Sequence, residues 1–235
     1  MMGRTKRAVV VGAGVGGLVS AIELARRGLD VVVLERAARV GGKMRQVNVA
    51  GRAIDAGPTV MTMRWVLEEI WNDAGGSLEQ DLTLKRADLL ARHAWGPGKP
   101  LDLFADIEPS TEAIAAFAGA READGYRRFC KYAQDIYDTV REPFLRSERP
   151  SLSSAMAAFG VLGFQNVMKI DGHRLMWNAL REYFTDARLL QLFGRYATYC
   201  GSSPYAAPAS LNVVAHVERD GVYLVEGGMY RVAEA

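Results

Sequence analysis

The chain is poor in the residues that usually carry metal or disulfide chemistry. Its 235 residues contain 2 cysteines and 3 histidines. Cys130 and Cys200 have no CxxC partner and cannot staple a small secreted domain, so both read as small core residues of a protein in a reducing compartment. His93, His173 and His216 stand far apart and offer no HxxxH spacing, so no metal site is expected. An excess of either charge is also missing. There are 29 basic against 27 acidic side chains, a formal net charge of +2, which argues against a nucleic-acid partner. No stretch reaches the roughly 20 apolar residues that a spanning helix needs. The opening Met1–Arg7 is basic, but the apolar run behind it breaks at Gly12, so no secretory signal is expected. Gly3 lacks the Ser or Thr that myristoylation requires four residues further on. A cytoplasmic chain, at most peripheral on a membrane surface, is the expectation. There is no internal repeat, low-complexity tract or flexible linker. With 49% apolar residues the chain is long enough to bury a substantial core.

What is present begins at once. Ala8-Val9-Val10-Val11 reads as a parallel strand buried on both faces. Gly12-Ala13-Gly14-Val15-Gly16-Gly17 follows and contains GxGxxG. A helical pattern with Leu18, Ala21, Ile22 and Ala25 on one face comes next, with Arg26 and Arg27 in its last turn and Gly28 as its stop. Val31–Leu34 is a second buried strand, closed by Glu35. Strand, glycine turn, helix, strand and terminal acid are the parts of a dinucleotide-binding unit. Gly12 allows the tight turn, Gly14 lets a pyrophosphate reach the backbone, and Gly17 permits close helix–strand packing. The helix N-terminus offers free N–H groups to the phosphates. Glu35 suits adenosine ribose hydroxyls, which favours FAD or NAD over NADP.

Arg36 follows that acid, and Arg39-Val40-Gly41-Gly42-Lys43 then supplies a second glycine pair flanked by cations. Such a loop can wrap the same pyrophosphate. Gln46–Val49 and Arg52–Ile54 read as a hairpin around Ala50-Gly51, leading to Asp55-Ala56-Gly57-Pro58-Thr59. In that small-residue turn the backbone can approach a flat ring, although an ordinary loop explains it equally well.

Leu82–Arg86, Leu89–His93 and Leu101–Phe104 are short strand candidates, expected to form one small sheet. Helices dominate from Ser110. Tyr126, Phe129, Cys130, Ala133, Ile136, Tyr137 and Val140 make one apolar helical face, which reads first as core, a reading compatible with one wall of a hydrophobic channel. Ser151–Met168 carries Leu152, Met156, Phe159, Val161, Leu162, Phe164 and Val167 with no charge before Lys169. It reads as a buried helical layer or as an apolar face dipping into a bilayer surface. Thr185-Asp186 caps a helix through Leu189, Leu190 and Phe193. Gly221–Val225 reads as a strand, Gly227-Gly228 as a turn and Met229–Ala235 as two helical turns. The expected division is a dinucleotide-binding part at 1–80, a substrate region at 81–205 and a return segment at 206–235. No Ser-His-Asp or Cys-His set can be assembled. Arg92, His93 and Tyr205 read as structural, so no catalytic side chain is assigned.

The succession GxGxxG, terminal Glu35, RxGGK and DxGPT resembles flavin-dependent enzymes of the amine oxidase type, and among them the carotenoid desaturases. The resemblance continues through Phe193–Tyr199, Gly201-Ser202-Ser203-Pro204-Tyr205 and Gly227-Gly228-Met229. Finer features, Leu90-Ala91-Arg92-His93, Asp55–Val60 and Phe117–Glu122, are most similar to the 1-hydroxycarotenoid 3,4-desaturases. Val225, where phytoene desaturases tend to carry proline, leans the same way. The resemblance implies an α/β fold: a Rossmann-like FAD-binding domain of the amine oxidase and glutathione reductase kind, with an inserted, largely helical substrate region. The C-terminal completion of that domain is expected to be missing, which makes the chain an N-terminal fragment. It implies FAD as cofactor, held by Gly12, Gly14, Gly16, Gly17, Glu35, Arg36, Gly41, Gly42, Lys43, Gly57, Pro58 and Thr59. It further implies a lipophilic carotenoid substrate, dehydrogenation with hydride passing to the flavin, and peripheral membrane contact. Phytoene desaturation, a carotenoid ketolase or isomerase reaction, amine oxidation and an inert nucleotide-binding fragment are the alternatives.

Overall fold

A computed structural model describes residues 6–98, 100–147, 151, 159–160 and 163–235, excepting the side chain of Phe164. The chain divides into two compact units, 1–87 with 221–235, and 88–220.

In the first unit β1 (Arg7–Val11) and β2 (Asp30–Leu34) pair in parallel, with Val9 opposite Val32. α1 (Val15–Arg26) makes the crossover between them and stops at Gly28, whose φ is +79°. The two strands are less buried than their composition implies: Val9 is 56% exposed and Val11 83%. A continuous apolar run signals burial on both faces only inside a wider layered sheet. This ladder has two strands. β3 (Gln46–Val49) and β4 (Arg52–Asp55) form the expected hairpin, turning through Ala50 and Gly51, both at positive φ as a tight hairpin turn requires. α2 (Arg64–Ala74) and α3 (Leu78–Asp81) follow. The core of this unit gathers Met44, Met61, Leu78, Leu82, Val225 and Met229, with Leu18, Leu67 and Trp71 against them.

The expected small sheet of three neighbouring strands does not form. β5 (Leu84–Arg86) pairs instead with β8 (Tyr223–Val225), while β6 (Leu89–His93) pairs with β7 (Leu101–Phe104) in the second unit. Only Ala87 and Asp88 separate β5 from β6, and neither has the positive φ of a two-residue hairpin turn. Ala87 N–H donates to the Val222 carbonyl instead, and Leu84 meets buried Val225. After Gly227 and Gly228, both at positive φ, the final helix Arg231–Glu234 is one turn rather than two.

In the second unit α4 (Ile107–Ala118) and α5 (Ala120–Val140) are joined at Gly119. The apolar face of α5 is buried from Tyr126 to Tyr137, with Val140 half-buried at its end. Phe129 lies at the centre of an aromatic cluster, its ring 4.9 Å from Phe193 and 5.4 Å from Phe184, and those two stack at 4.7 Å. Asp186 caps the helix Ala187–Gly194 as expected, accepting the Arg188 N–H at 2.8 Å. Cys130 is buried, but Cys200 is exposed, contrary to expectation. It ends the 3₁₀ segment Arg195–Cys200, where the chain turns outward through Gly201 at φ +63°. Of the apolar stretch Ser151–Met168, residues 152–158 and 161–162 lie outside the described residues, and a helix covers Gly163–Ile170. No described helix is long and apolar enough to cross a membrane.

Candidate functional site

The glycine-rich turn after β1 is organised by backbone. Gly12 takes φ +97° and donates its N–H to the Leu34 carbonyl at 2.7 Å, fixing the turn to the end of β2. Gly14 is the extended N-cap of α1 and makes no side-chain cap, and the first turn of the helix holds no acid. The first-turn amides and the positive end of the dipole are therefore free to meet an anion. Around Gly12 and Gly16 a Cβ would find nothing within 4 Å, so the main chain lies open to a ligand on that side. Gly17 is the packing glycine: a Cβ there would stand 1.9 Å from the Gly12 carbonyl oxygen.

The second glycine pair closes on the first. Gly41 N–H donates to the Ala13 carbonyl at 2.7 Å, Gly14 and Gly41 form a parallel bridge, and a Cβ on Gly42 would meet the Gly14 Cα at 3.0 Å. The third loop joins next. A Cβ on Gly57 would stand 1.9 Å from the Lys43 carbonyl oxygen. Gly42, Lys43, Arg45, Ala56, Gly57 and Pro58 line a cavity of about 410 Å³. Three loops separated in sequence are thus linked, the first to the second at Gly14 and the second to the third at Lys43, with Lys43 and Arg45 as cations along the cavity. These open glycine surfaces fit a diphosphate.

Glu35 lies at the end of β2, and both its carboxylate oxygens meet backbone. Oε2 accepts the Ala13 N–H and Oε1 the Ala37 N–H, each at 2.7 Å. Those hydrogen bonds, with the Arg36 charge, hold its carboxyl below the ordinary glutamate range. Each oxygen keeps a lone pair for a further donor. Arg36 and Thr59 are exposed, and Thr59 lies outside the residues lining that cavity.

Sequence reasoning left two residues that matter here out of the candidate site. Arg45 completes the cationic side of the cavity, its only signal being a second cation two positions after Lys43. Asp55 holds the base of the hairpin: its Oδ2 accepts the Met229 N–H at 2.9 Å, and Gln46 Nε2 donates to its Oδ1 at 3.3 Å. Gln46 Nε2 also donates to the Gly227 carbonyl at 3.0 Å. The Gly227-Gly228-Met229 turn is thereby fixed to the start of the Gly57 loop. In the second unit Arg92 is bound by both oxygens of Asp102 at 2.7 Å, across β6 and β7. Tyr205 packs on Trp177 with ring centres 4.6 Å apart. The described residues contain no group of three or more His, Cys, Asp or Glu that could hold a metal.

Comparison with known proteins agrees with this geometry. Residues 10–73 match the family described as NAD(P)-binding Rossmann-like domain. The chain is 53% identical over 233 residues to hydroxyneurosporene desaturase of Rubrivivax gelatinosus, covering 99% of this chain and 44% of that protein. The chain is similar to a carotenoid desaturase over nearly its whole length. It is also 45% identical over 229 residues to hydroxyneurosporene desaturase of Cereibacter sphaeroides, covering 97% of this chain and 46% of the relative. The chain thus spans less than half the length of the relatives it matches. Its fold is shared with putrescine oxidase bound to putrescine, at TM-score 0.58 and 19% identity, covering 98% of this chain and 48% of that one. Residues 10–73 of the first unit are accordingly a Rossmann-like dinucleotide-binding fold.

Proposed function

We propose that the protein is an FAD-dependent desaturase of hydroxylated acyclic carotenoids. The reading rests above all on the 53% identity to a hydroxyneurosporene desaturase across 99% of the chain. The meeting of the Gly12–Gly17, Gly41–Lys43 and Gly57–Pro58 loops supports FAD over a nicotinamide nucleotide. In this reading the phosphate cradle continues into the cavity of about 410 Å³ between Gly42–Lys43 and Gly57–Pro58, which takes a second ring system.

In this reading Gly12, Gly14, Gly16 and Gly17 present amides and bare backbone to the diphosphate. Gly41, Gly42 and Lys43 close over it from the other side. Glu35, already holding Ala13, uses its remaining lone pairs for the adenosine ribose hydroxyls, with Arg36 beside it. Gly57, Pro58 and Thr59 lie toward the flavin ring. Bound FAD supplies the two-electron acceptor for hydride removal from a C–H bond, with a proton leaving the neighbouring carbon. This chain's own residues supply binding, alignment and exclusion of water, and the polyene is held by the unit 88–220.

The experiment has two readings. Titrating the protein with FAD and following flavin fluorescence tests the cofactor, and saturable quenching at one FAD per chain is expected. Offering the FAD-loaded enzyme a 1-hydroxylated acyclic carotenoid, its unhydroxylated counterpart and phytoene separately tests the substrate. A red-shifted product spectrum, one double bond longer, is expected from the hydroxylated compound first. Conversion of phytoene alone would replace the substrate reading with phytoene desaturation.

A further inference from the structure

Met44 and Arg45 stand on opposite sides of one extended segment. Met44 is buried in the core of the first unit. The Ala56 N–H donates to the Arg45 carbonyl at 2.8 Å, which carries the β3–β4 ladder one pair beyond Gln46 and Asp55. Side chains alternate across such a segment. Burial of Met44 therefore turns Arg45 outward, where with Lys43 it lines the cavity of about 410 Å³.

The chemistry of that cavity is one-sided. Both ionisable side chains that line it are cations, and no carboxylate lines it. Among the described residues neither cation has an ion pair or a hydrogen bond, and the N–H groups of Gly42, Lys43 and Gly57 donate to no protein group. Asp55, the acid next to Ala56 in sequence, is already engaged by the Met229 N–H and Gln46. Unpaired cations beside free amides attract negative charge and repel positive charge. An oxidised nicotinamide ring is itself a cation, so this lining disfavours it. Oxidised flavin is neutral. Taking up a hydride, two electrons and one proton, leaves flavin with one negative charge shared by N1 and the C2 carbonyl.

We infer that Arg45 raises the reduction potential of bound FAD by stabilising the negative charge that the flavin gains with the hydride. The inference rests on the FAD reading above and adds to it a residue and an electrostatic role. Charge beside the ring is one of the levers by which a protein tunes a flavin. The hydride comes from a C–H bond of the substrate, and the proton from the neighbouring carbon passes to solvent. The guanidinium stays charged throughout and neither gives nor takes a proton. Arg45 is exposed, so solvent screens the attraction. That limits it to about five- to tenfold in the preference for reduced over oxidised FAD.

The test reads the potential of bound FAD rather than turnover. FAD-loaded native protein, Arg45→Gln and Arg45→Lys are titrated in a spectroelectrochemical cell, with FAD affinity measured alongside. Arg45→Gln removes an exposed, unpaired side chain and keeps the backbone hydrogen bond to Ala56. Binding of oxidised FAD should therefore stay within about twofold of native. The midpoint should fall by about 20–30 mV, the two-electron equivalent of a five- to tenfold preference. Arg45→Lys keeps the charge and should recover most of the difference. An unchanged midpoint in Arg45→Gln would overturn the inference and leave the FAD reading standing. So would equal weakening of oxidised and reduced FAD, the result for a cation that serves the diphosphate. Native protein that binds no FAD would overturn both.

Discussion

Gly17 packs directly against Gly12: a Cβ built on the first would lie 1.9 Å from the carbonyl oxygen of the second. Gly17→Ala must therefore push α1 away from the β1 turn, at a cost of about 1–3 kcal/mol or beyond. Gly16 is one residue earlier in the same helix and has open space at that position. Gly16→Ala should instead stabilise the fold by roughly 0.5–1 kcal/mol through helix propensity, while weakening FAD by placing a methyl on the open backbone. Urea unfolding and FAD titration of the two variants separate packing from ligand access. Equal destabilisation by both would show that the turn is built differently.

Glu35 connects the end of β2 to the Gly12–Gly17 turn through Ala13, so its removal acts on that turn as well as on the proposed ribose contact. Glu35→Gln keeps one acceptor oxygen and loses the charge that strengthens the backbone hydrogen bonds. Its FAD affinity should fall by about tenfold, and that of Glu35→Ala further. Isothermal titration of the native protein and both variants checks this order. Unchanged affinity in Glu35→Ala would remove the acid from the site.

The parts legible in the sequence are those whose requirements are local. Gly12, Gly28, Ala50-Gly51 and the Asp186 cap each answer a need of their own few residues, and all stand where expected. The RxGGK loop was readable because it follows Glu35 closely in sequence. Asp55 and Met229 are 174 residues apart, and nothing in either neighbourhood announces their hydrogen bond. The pairing of β5 with β8 was hidden for the same reason. Three-residue strands carry too little pattern to specify a distant partner, and burial of Leu84 against Val225 decided it. The hydrogen bond from Trp95 Nε1 to Gln191, 96 residues away, likewise comes from packing that periodicity does not encode.

Phe129 is 0% exposed and meets Phe184, Phe193, Tyr132 and Tyr183 ring to ring. Phe129→Ala should destabilise the unit 88–220 by about 3–5 kcal/mol, transfer and cavity costs together, and Phe129→Leu by distinctly less. Denaturant unfolding followed by tryptophan fluorescence reads both. If the helical face of α5 served only as a channel wall, truncation would alter ligand binding and leave stability nearly unchanged.

His93 and His216 give the fold an acid-sensitive side. Burial, followed by the charge of Arg195 for the first and Arg219 for the second, lowers both below the ordinary value of 6.5. Glu218 and Asp102, and for His216 Asp220 and Asp138, oppose the shift without reversing it. In the unfolded chain both rings take up protons as pH falls through 6.5, whereas the folded chain resists them. The unfolded state then binds more protons, so stability falls with pH. The loss begins near the unfolded value and continues down to the folded ones, below which both states are protonated. Asp102, Asp171 and Asp186 are lowered from 3.8 and contribute only at more acid pH. The melting temperature should therefore drop between about pH 7.5 and 5.5 at constant ionic strength, with a limiting slope of one proton per histidine. His216→Phe retains a ring against Tyr137, 4.6 Å away, and should flatten the decline by up to one proton. Scanning calorimetry at closely spaced pH measures this, and a melting temperature that rises on acidification across that window would show the rings to be charged in the folded protein.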